Sequence, residues 1–207
     1  MYDDEFELTF DLSDEDEASR APAQEQEPVQ EAAPEPAAET EPAAETEPPV
    51  EAVPELAAPA ANGRCVLISG GDRGIGAAAA RAFWQAGYRV AVLYHTHAEA
   101  AAALEKALPG LLAVQCDVAS RASCEVAFHT VEQAVGHVDV LVSNAGIAQQ
   151  KLFTDITPEE WQHMLDVNLS GAFHLCQLAL PGMIRRKAGR ILTVSSMWGQ
   201  TGGSCEV

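Results

Sequence analysis

The stretch that decides the fold reads Cys65-Val-Leu-Ile-Ser-Gly-Gly-Asp-Arg-Gly-Ile-Gly76. Its apolar half, 65–69, predicts a buried parallel strand, because a strand covered on both faces carries a continuous apolar run. Its glycine-rich half permits a sharp turn, and the alanine-rich segment 74–86 that follows predicts a helix. A strand that passes through such a turn into a helix is typical of a dinucleotide-binding βαβ unit.

The alternation of strand and helix continues along the chain. Further strands are predicted at 88–94, 111–116, 138–142 and 189–195, with helices that start near Thr96, Ser120 and Thr157. Thr96 with Glu99, and Thr157 with Glu160, have the spacing of a capping box. Five strands separated by helices predict an α/β fold, a doubly wound parallel-sheet Rossmann domain of about five strands.

The charge of the chain is concentrated before this domain. Residues 1–62 carry 19 of the 31 acidic side chains and one of the 12 basic ones, whereas residues 63–207 are nearly neutral. Nine of the 12 prolines also precede residue 63, and the unit EPAAET occurs twice, at 35–40 and 41–46. Proline blocks helix formation, and few large apolar side chains offset the entropy of ordering. We therefore expect a disordered acidic tail over 1–62 and a folded domain over 63–207.

The start of the tail has a different pattern. Phe6, Leu8, Phe10 and Leu12 alternate with polar residues, as in a strand that pairs with the edge of a sheet. The alternative interpretation is an amphipathic segment with no partner.

The composition argues against several classes of protein. The chain lacks the basic footprint of a nucleic-acid binder, and it has no apolar run of about 18 residues that would span a membrane. Met1 is followed by acidic residues and not by a secretory signal, so we expect a cytoplasmic protein. The five cysteines form no CxxC pair and no metal-ligand spacing with the six histidines. We expect free, buried thiols and no metal site.

The glycine turn provides the residues expected to hold the diphosphate of a dinucleotide. Glycines let the backbone approach the phosphates, and the helix that follows offers free N–H groups and a partial positive charge. The residues of this turn expected to bind the cofactor are Ser69, Gly70, Asp72, Arg73, Gly74, Ile75 and Gly76.

The end of the second strand indicates which nicotinamide cofactor is bound. A carboxylate about 20 residues past the glycine turn would bond the ribose 2′-hydroxyl and select NAD. That stretch reads Tyr94-His-Thr-His97, and the first acid is Glu99, inside the predicted helix. Arg73 offers a planar cation suited to a 2′-phosphate. The sequence therefore predicts NADPH (NADP) as the cofactor.

Asp117 and Val118 follow the third strand and are also expected to contact the cofactor. The carboxylate of Asp117 is placed to take the adenine amino group. The alternative role is a negative charge ahead of the helix that starts near Ser120.

Four motifs give residues 63–207 a resemblance to a known family. SGGDRGIG at 69–76 is similar to the TGxxxGxG motif of the short-chain dehydrogenase/reductase family, and Ser143-Asn144-Ala145-Gly146 is similar to its NNAG motif, with the first asparagine changed. Asn168 in VNLSG and Ser196 in VSSMWG fall where that family places its catalytic asparagine and serine. Within the family, the domain resembles the 3-oxoacyl-[acyl-carrier-protein] reductases.

The resemblance implies NADPH-dependent reduction of a carbonyl to an alcohol. The substrate that it favours is a 3-oxoacyl thioester on acyl carrier protein, in fatty acid biosynthesis. It implies that Ser196 bonds the substrate carbonyl, that Asn168 holds a water in a proton relay, and that Asn144, Ala145 and Gly146 contact the cofactor. It also implies a homo-oligomer for the complete protein. The alternatives are a related reductase of a sugar, alcohol or steroid, and a non-catalytic nucleotide-binding scaffold with an interaction tail.

The resemblance also implies two residues that the 207 do not contain. The family's proton donor is a tyrosine thirteen positions beyond the serine, which here falls two positions past Val207, and a lysine follows it. The pKa of a free tyrosine is about 10, so the lysine cation is needed to stabilise the phenolate. We therefore expect a domain that is incomplete at its C-terminus and a chain that is inactive alone.

A basic cluster closes the long helix predicted from Thr157. Arg185, Arg186 and Lys187 precede Gly189. They either balance the negative end of the helix dipole or dock an acidic partner such as an acyl carrier protein.

Overall fold

The computed structural model describes residues 61–201. The predicted disordered tail, apart from its last two residues, the alternating segment at 6–12 and residues 202–207 lie outside the described residues. The strands are β1 (Cys65–Ser69), β2 (Arg89–Tyr94), β3 (Leu112–Gln115), β4 (Val140–Ser143) and β5 (Arg190–Thr193). The helices are α1 (Gly74–Gln85), α2 (Ala98–Ala107), α3 (Arg121–Val135), α4 (Pro158–Leu165), α5 (Gly171–Arg186) and α6 (Trp198–Thr201), with a 3₁₀ turn at Phe153–Asp155 and a π-helical turn at Asp166–Ser170.

All five strands form one parallel sheet in the order β3-β2-β1-β4-β5. The chain begins in the middle of the sheet, adds β2 and β3 on one side, and then crosses back to add β4 and β5 on the other. This topology confirms the predicted doubly wound α/β fold. It also creates a switch point between β1 and β4, and ligands of such sheets bind beyond the carboxyl ends of the strands at that point.

The sheet is covered by helices on both faces, which explains the continuous apolar run of β1. Cys65 and Leu67 face a core formed with α3 and α5, whereas Val66 and Ile68 face a second core formed with α1 and α2. All four side chains are fully buried. Burial inside the apolar core raises the pKa of the Cys65 thiol to about 12, so this cysteine is a small hydrophobic residue.

One of the two predicted capping boxes is confirmed and the other is wrong. Thr157 accepts a hydrogen bond from the Glu160 N–H, and the Glu160 carboxylate accepts one from the Thr157 N–H, at the start of α4. In α2, however, the N-cap is His97 and not Thr96. The helix starts one residue later than predicted, so Glu99 occupies the wrong position to bond back to Thr96.

The long helix from Pro158 ends at the basic cluster, but the three cations are not equivalent. The Arg186 Nη2 donates to the Val138 carbonyl at 2.8 Å and lies 3.6 Å from the Asp139 carboxylate. Arg186 therefore binds the residues just before β4. The interpretation of the three cations as one docking patch is wrong for Arg186. Arg185 and Lys187 are exposed.

The edge strand β5 is the most exposed part of the sheet. Ile191 and Leu192 keep 36% and 48% of their surface in contact with solvent, whereas every residue of β1 is buried. None of the helices within residues 61–201 is long and apolar enough to cross a membrane.

The central strand is expected to carry much of the stability of the domain. Replacing Leu67 with alanine removes a fully buried side chain and should lower the free energy of unfolding by ~2–5 kcal/mol. Val126→Ala is the control, because Val126 is 70% exposed on α3 and its truncation should change stability by ~0.5 kcal/mol or less. Urea denaturation followed by circular dichroism measures both, and equal losses would contradict the assigned core.

Candidate cofactor pocket and active site

A cavity of about 330 Å³ lies beyond the carboxyl ends of the strands, at the switch point of the sheet. Several residues predicted to bind the cofactor line it: Gly70, Asp72, Arg73, Ile75, Asp117, Val118, Asn144, Ala145 and Gly146. The lining residues that sequence reasoning did not assign to the cofactor are Leu93, Tyr94, His95, Thr96, His97, Cys116, Ile147, His163 and Val167. The fold therefore brings the glycine turn, the ends of three further strands and the end of α4 around one cavity.

The loops after β1 and β4 are fastened to each other by Ser69 and Asn144. The buried Ser69 hydroxyl accepts hydrogen bonds from the N–H groups of Asn144 and Ala145, both at 3.0 Å. The Asn144 amide donates in return to the carbonyls of Ser69 and Gly70, at 3.0 and 2.9 Å. Four hydrogen bonds thus fix the floor of the cavity. The Ser69 hydroxyl binds backbone groups of the protein and does not face a ligand.

Two positions of the glycine turn require glycine because the backbone packs closely around them. A Cβ on Gly76 would lie 2.1 Å from the Gly70 carbonyl, and one on Gly70 would lie 3.0 Å from the Ala145 Cα, so neither position accepts a side chain. No side chain caps the N-terminus of α1, where Arg73 is the N-cap residue. A helix N-terminus whose N–H groups no side chain caps suits a diphosphate. The residues present therefore fit a dinucleotide.

The fold also places an acid next to the end of β2. Asp72, in the glycine turn, is buried, and its Oδ2 lies 3.5 Å from the His97 Nδ1. The stretch after β2, from Tyr94 to His97, contains no acid, and on that ground the sequence predicts NADPH. The carboxylate comes instead from the β1–α1 turn, which only the pairing of β1 with β2 brings alongside. Arg73 lines the same cavity and is exposed.

The end of β3 forms another wall of the cavity. The Asp117 Oδ1 accepts a hydrogen bond from the Ala119 N–H, so this carboxylate both lines the cavity and stabilises the turn before α3. Cys116 lies beside it, 3.9 Å from Cys124 between the two sulfur atoms. The hydrogen bond between the two thiols lowers the pKa of Cys116 and raises that of Cys124.

Asn168 lies in the π-helical turn and holds the loop after β4. Its Oδ1 accepts from the Ile147 N–H at 2.8 Å, and its Nδ2 donates to the Ile147 carbonyl at 3.0 Å. A single π turn in a long helix is frequent at functional sites. Here it directs Asn168 at the cavity loop, although Asn168 itself is not among the residues that line the cavity.

Ser196 follows β5, on the same side of the sheet as the cavity loops, because β5 runs parallel to β4. The side chain is exposed, and its oxygen accepts a hydrogen bond from the Trp198 N–H at 3.2 Å. Among the residues that the structure describes, the hydrogen of this hydroxyl meets no acceptor, so it is available to a carbonyl oxygen. Ser196 does not line the cavity around the glycine turn. Within residues 61–201 no group of three or more His, Cys, Asp or Glu side chains is placed to hold a metal ion.

Residues 64–207 match the family model described as short chain dehydrogenase. The match covers more than half of the chain, so the chain belongs to the short-chain dehydrogenase family, as the glycine turn and the Ser-Asn-Ala-Gly loop predict.

Curated relatives include two kinds of reductase. The "Acetoacetyl-CoA reductase" of Shinella zoogloeoides is 40% identical over 139 residues, which are 67% of this chain and 57% of that protein. The "3-oxoacyl-[acyl-carrier-protein] reductase MabA" of Mycobacterium tuberculosis (strain ATCC 25618 / H37Rv) is 38% identical over 148 residues, or 72% of this chain and 57% of that one. The solved structure of gox2181 superposes with a TM-score of 0.63 and 33% identity, over 66% of this chain and 55% of that one. This chain thus spans little more than half the length of these relatives.

The Ser69 hydroxyl is expected to matter for folding and for the shape of the cavity. Ser69→Ala leaves two N–H groups without their acceptor and should lower the free energy of unfolding by ~1–3 kcal/mol. Ser69→Thr keeps the hydroxyl and should retain most of the stability. Chemical denaturation of the three proteins tests this, and equal losses for alanine and threonine would show that the hydroxyl is not the stabilising group.

Proposed function

We propose that this domain binds NADPH and forms part of an enzyme that reduces the carbonyl of a 3-oxoacyl thioester to an alcohol. The observation that carries the proposal is the cavity at the switch point, which is lined by the glycine turn, by the end of β2 and by the loop that Asn168 holds. Such a cavity suits a dinucleotide, because ligands of doubly wound sheets bind at the switch point.

The residues of this chain have separate tasks in the proposed reaction. The turn from Gly70 to Gly76 and the N-terminus of α1 would hold the diphosphate, and Arg73 would bind a 2′-phosphate. A bound reduced nicotinamide would supply the hydride. Ser196 would donate a hydrogen bond to the carbonyl oxygen, whose negative charge grows as the hydride arrives. Asn168 positions Ile147 in this structure, and the water-holding role that the resemblance implies stays a prediction.

The names of the relatives support a 3-oxoacyl thioester as the substrate, but they differ in the carrier. One acts on acetoacetyl-CoA and the other on a 3-oxoacyl-[acyl-carrier-protein]. Arg185 and Lys187, exposed at the end of α5, support an acidic carrier protein, whose approach they would accelerate. We therefore propose the acyl-carrier-bound thioester as the natural substrate, in fatty acid biosynthesis.

Two further features belong to the proposal. The described cysteines, Cys65, Cys116, Cys124 and Cys176, are all free, which supports a reducing compartment and hence the cytoplasm. The complete protein would form a homo-oligomer, and the exposed Phe173 and Ile184 on α5 support an association surface there.

Arg73 is expected to select the phosphorylated cofactor. Arg73→Ala removes a charge-assisted phosphate contact worth ~1.5–3 kcal/mol, so NADPH should bind more than about tenfold more weakly while NADH binding changes little. Fluorescence titration of the 207-residue chain with both cofactors measures the effect. Arg185→Ala, outside the cavity, is the control for loss of a positive charge. Equal weakening of both cofactors by Arg73→Ala would contradict this role.

The 207-residue chain is expected to bind NADPH without reducing a thioester. Of the tyrosines within residues 61–201, Tyr88 packs on Phe83 and Tyr94 lines the cavity, both in or beside β2. Ser196 follows β5, and in the sheet β1 and β4 lie between β5 and β2. A phenol beside Ser196 must therefore come from elsewhere.

A chimera tests the reaction itself. Residues 63–207 replace the matching segment of the Shinella zoogloeoides reductase, which supplies the rest of the fold. Consumption of NADPH is measured with acetoacetyl-CoA and with a 3-oxoacyl-carrier protein, and Ser196→Ala should reduce it by at least about a hundredfold. A folded chimera that binds NADPH but reduces neither thioester would contradict the proposed substrate.

A further inference from the structure

Two cysteines are in contact at the wall of the cavity. Cys116 directly follows β3, and Cys124 lies near the start of α3, eight residues further along the chain. Their sulfur atoms are 3.9 Å apart, which is contact distance for two thiols. Both side chains belong to the same close-packed apolar core, so their neighbours hold the sulfur atoms in place. The fold thus brings together the two groups that a disulfide needs.

The two thiols differ in their access to a reagent. Cys116 lines the cavity beside Asp117 and keeps 3% of its surface in contact with solvent, whereas Cys124 is fully buried. A small reagent that enters the cavity therefore meets Cys116 first. Cys124 needs no access of its own, because a second thiol reacts directly with the oxidised form of its neighbour.

The surroundings of Cys116 favour its reactive form. The Cys124 sulfur, at 3.9 Å, and the Ser123 hydroxyl oxygen, at 3.8 Å, both lie within hydrogen-bond range of the Cys116 sulfur. These two hydrogen bonds lower the pKa of Cys116, although burial and the charge of Asp117 act in the opposite direction. The thiolate is the nucleophilic form of cysteine, and a second thiol beside it is typical of redox-sensing sites.

We propose that Cys116 and Cys124 form a redox site, in which a hydroperoxide oxidises the two thiols to a disulfide that deforms the cavity wall and weakens the binding of nucleotide. The formation of the disulfide does not depend on the proposed function. The effect on binding rests on it, because that effect assumes that a nicotinamide cofactor occupies the cavity. In a reducing compartment the disulfide would be transient, as it is in redox-sensing proteins of the cytosol.

The oxidation consists of two balanced steps, written here for hydrogen peroxide. The Cys116 thiolate attacks one oxygen, so that an S–O bond forms, the O–O bond breaks, and the leaving hydroxide becomes water with the proton that the thiol lost. The Cys124 sulfur then attacks the Cys116 sulfur. The S–S bond forms, the S–O bond breaks, and hydroxide leaves as water with the proton of Cys124. The pair of thiols loses two electrons, and the peroxide gains them.

The disulfide would displace part of the cavity wall. An S–S bond is about 2.05 Å long, so the two sulfur atoms must approach each other by about 2 Å. Cys116, Asp117 and Val118 are consecutive, and all three line the cavity. The Asp117 N–H donates to the Ser123 hydroxyl at 3.0 Å, so the same movement disturbs the connection between this wall and α3.

Peptide mapping of the full 207-residue chain tests whether the disulfide forms. The chain is treated with hydrogen peroxide, the remaining thiols are blocked, and trypsin then separates residues 107–121, which contain Cys116, from residues 122–151, which contain Cys124. Mass spectrometry should find these two peptides joined, with a mass two hydrogen atoms below their sum, and dithiothreitol should separate them. The peroxide concentration is raised until Cys176, a half-buried thiol on α5, is oxidised.

Fluorescence titration of the same samples with NADPH tests the effect on the cavity. Because the displaced wall loses hydrogen bonds to the ligand, the oxidised chain should bind NADPH about tenfold more weakly, and dithiothreitol should restore the affinity. Cys124→Ser should give no linked peptides and no loss of affinity that dithiothreitol restores. Cys124→Ala repeats the test if the buried hydroxyl disturbs the core, and circular dichroism melting verifies that each variant is folded. Cys176→Ser, outside the cavity, is the matched control and should behave like the unmodified chain.

The outcomes separate the two proposals. If the peptides stay unlinked at a peroxide concentration that oxidises Cys176, the redox site is overturned and the proposed function stands. Linked peptides with an unchanged affinity for NADPH overturn the effect on the cavity. If the reduced, folded chain does not bind NADPH, the proposed cofactor and the effect on binding are overturned, and the peptide map alone decides whether the two cysteines form a redox site.

Discussion

The rest of the site depends on the hydrogen bonds that the Ser69 hydroxyl accepts from the loop after β4. β1 and β4 are neighbours in the sheet because the chain crosses back over it. The loops that follow these two strands need a link to hold them together. Ser69 and Asn144 provide it with four hydrogen bonds between buried or half-buried groups. The close approach of Gly70 to Ala145 follows from that link, and so does the cavity floor. Buried hydrogen bonds of this kind are costly to lose, which makes the arrangement rigid.

A rigid floor lets the backbone and the side chains act on different parts of a ligand. The glycine turn and the start of α1 offer N–H groups that, under the proposed function, would recognise the diphosphate of a nicotinamide cofactor. Under the proposed function, discrimination between cofactors falls to the side chain of Arg73, whose planar cation suits a 2′-phosphate.

The long helix formed by α4 and α5 also shapes the site, because a π turn interrupts it. The π turn at Asp166–Ser170 breaks the regular hydrogen bonding between α4 and α5 and directs Asn168 to both backbone groups of Ile147. The loop after β4 is thus held at one end by Ser69 and at the other by Asn168. The N–H of Val194, two residues before Ser196, donates a hydrogen bond to the carbonyl of Ser143 at the end of β4, which brings the segment after β5 near the same loop.

The sequence by itself determined the order and type of the elements, the parallel sheet, the glycine turn and the family. These features depend on local periodicity, on turn chemistry and on short motifs, which are readable along the chain. Tertiary structure decided that Asp72 meets His97, that Arg186 is bound to Asp139, and that His97 rather than Thr96 begins α2. The first two are contacts between residues far apart in sequence, set by which strands pair and how helices pack on them. The third is a shift of one residue, which short-range propensity is too weak to fix.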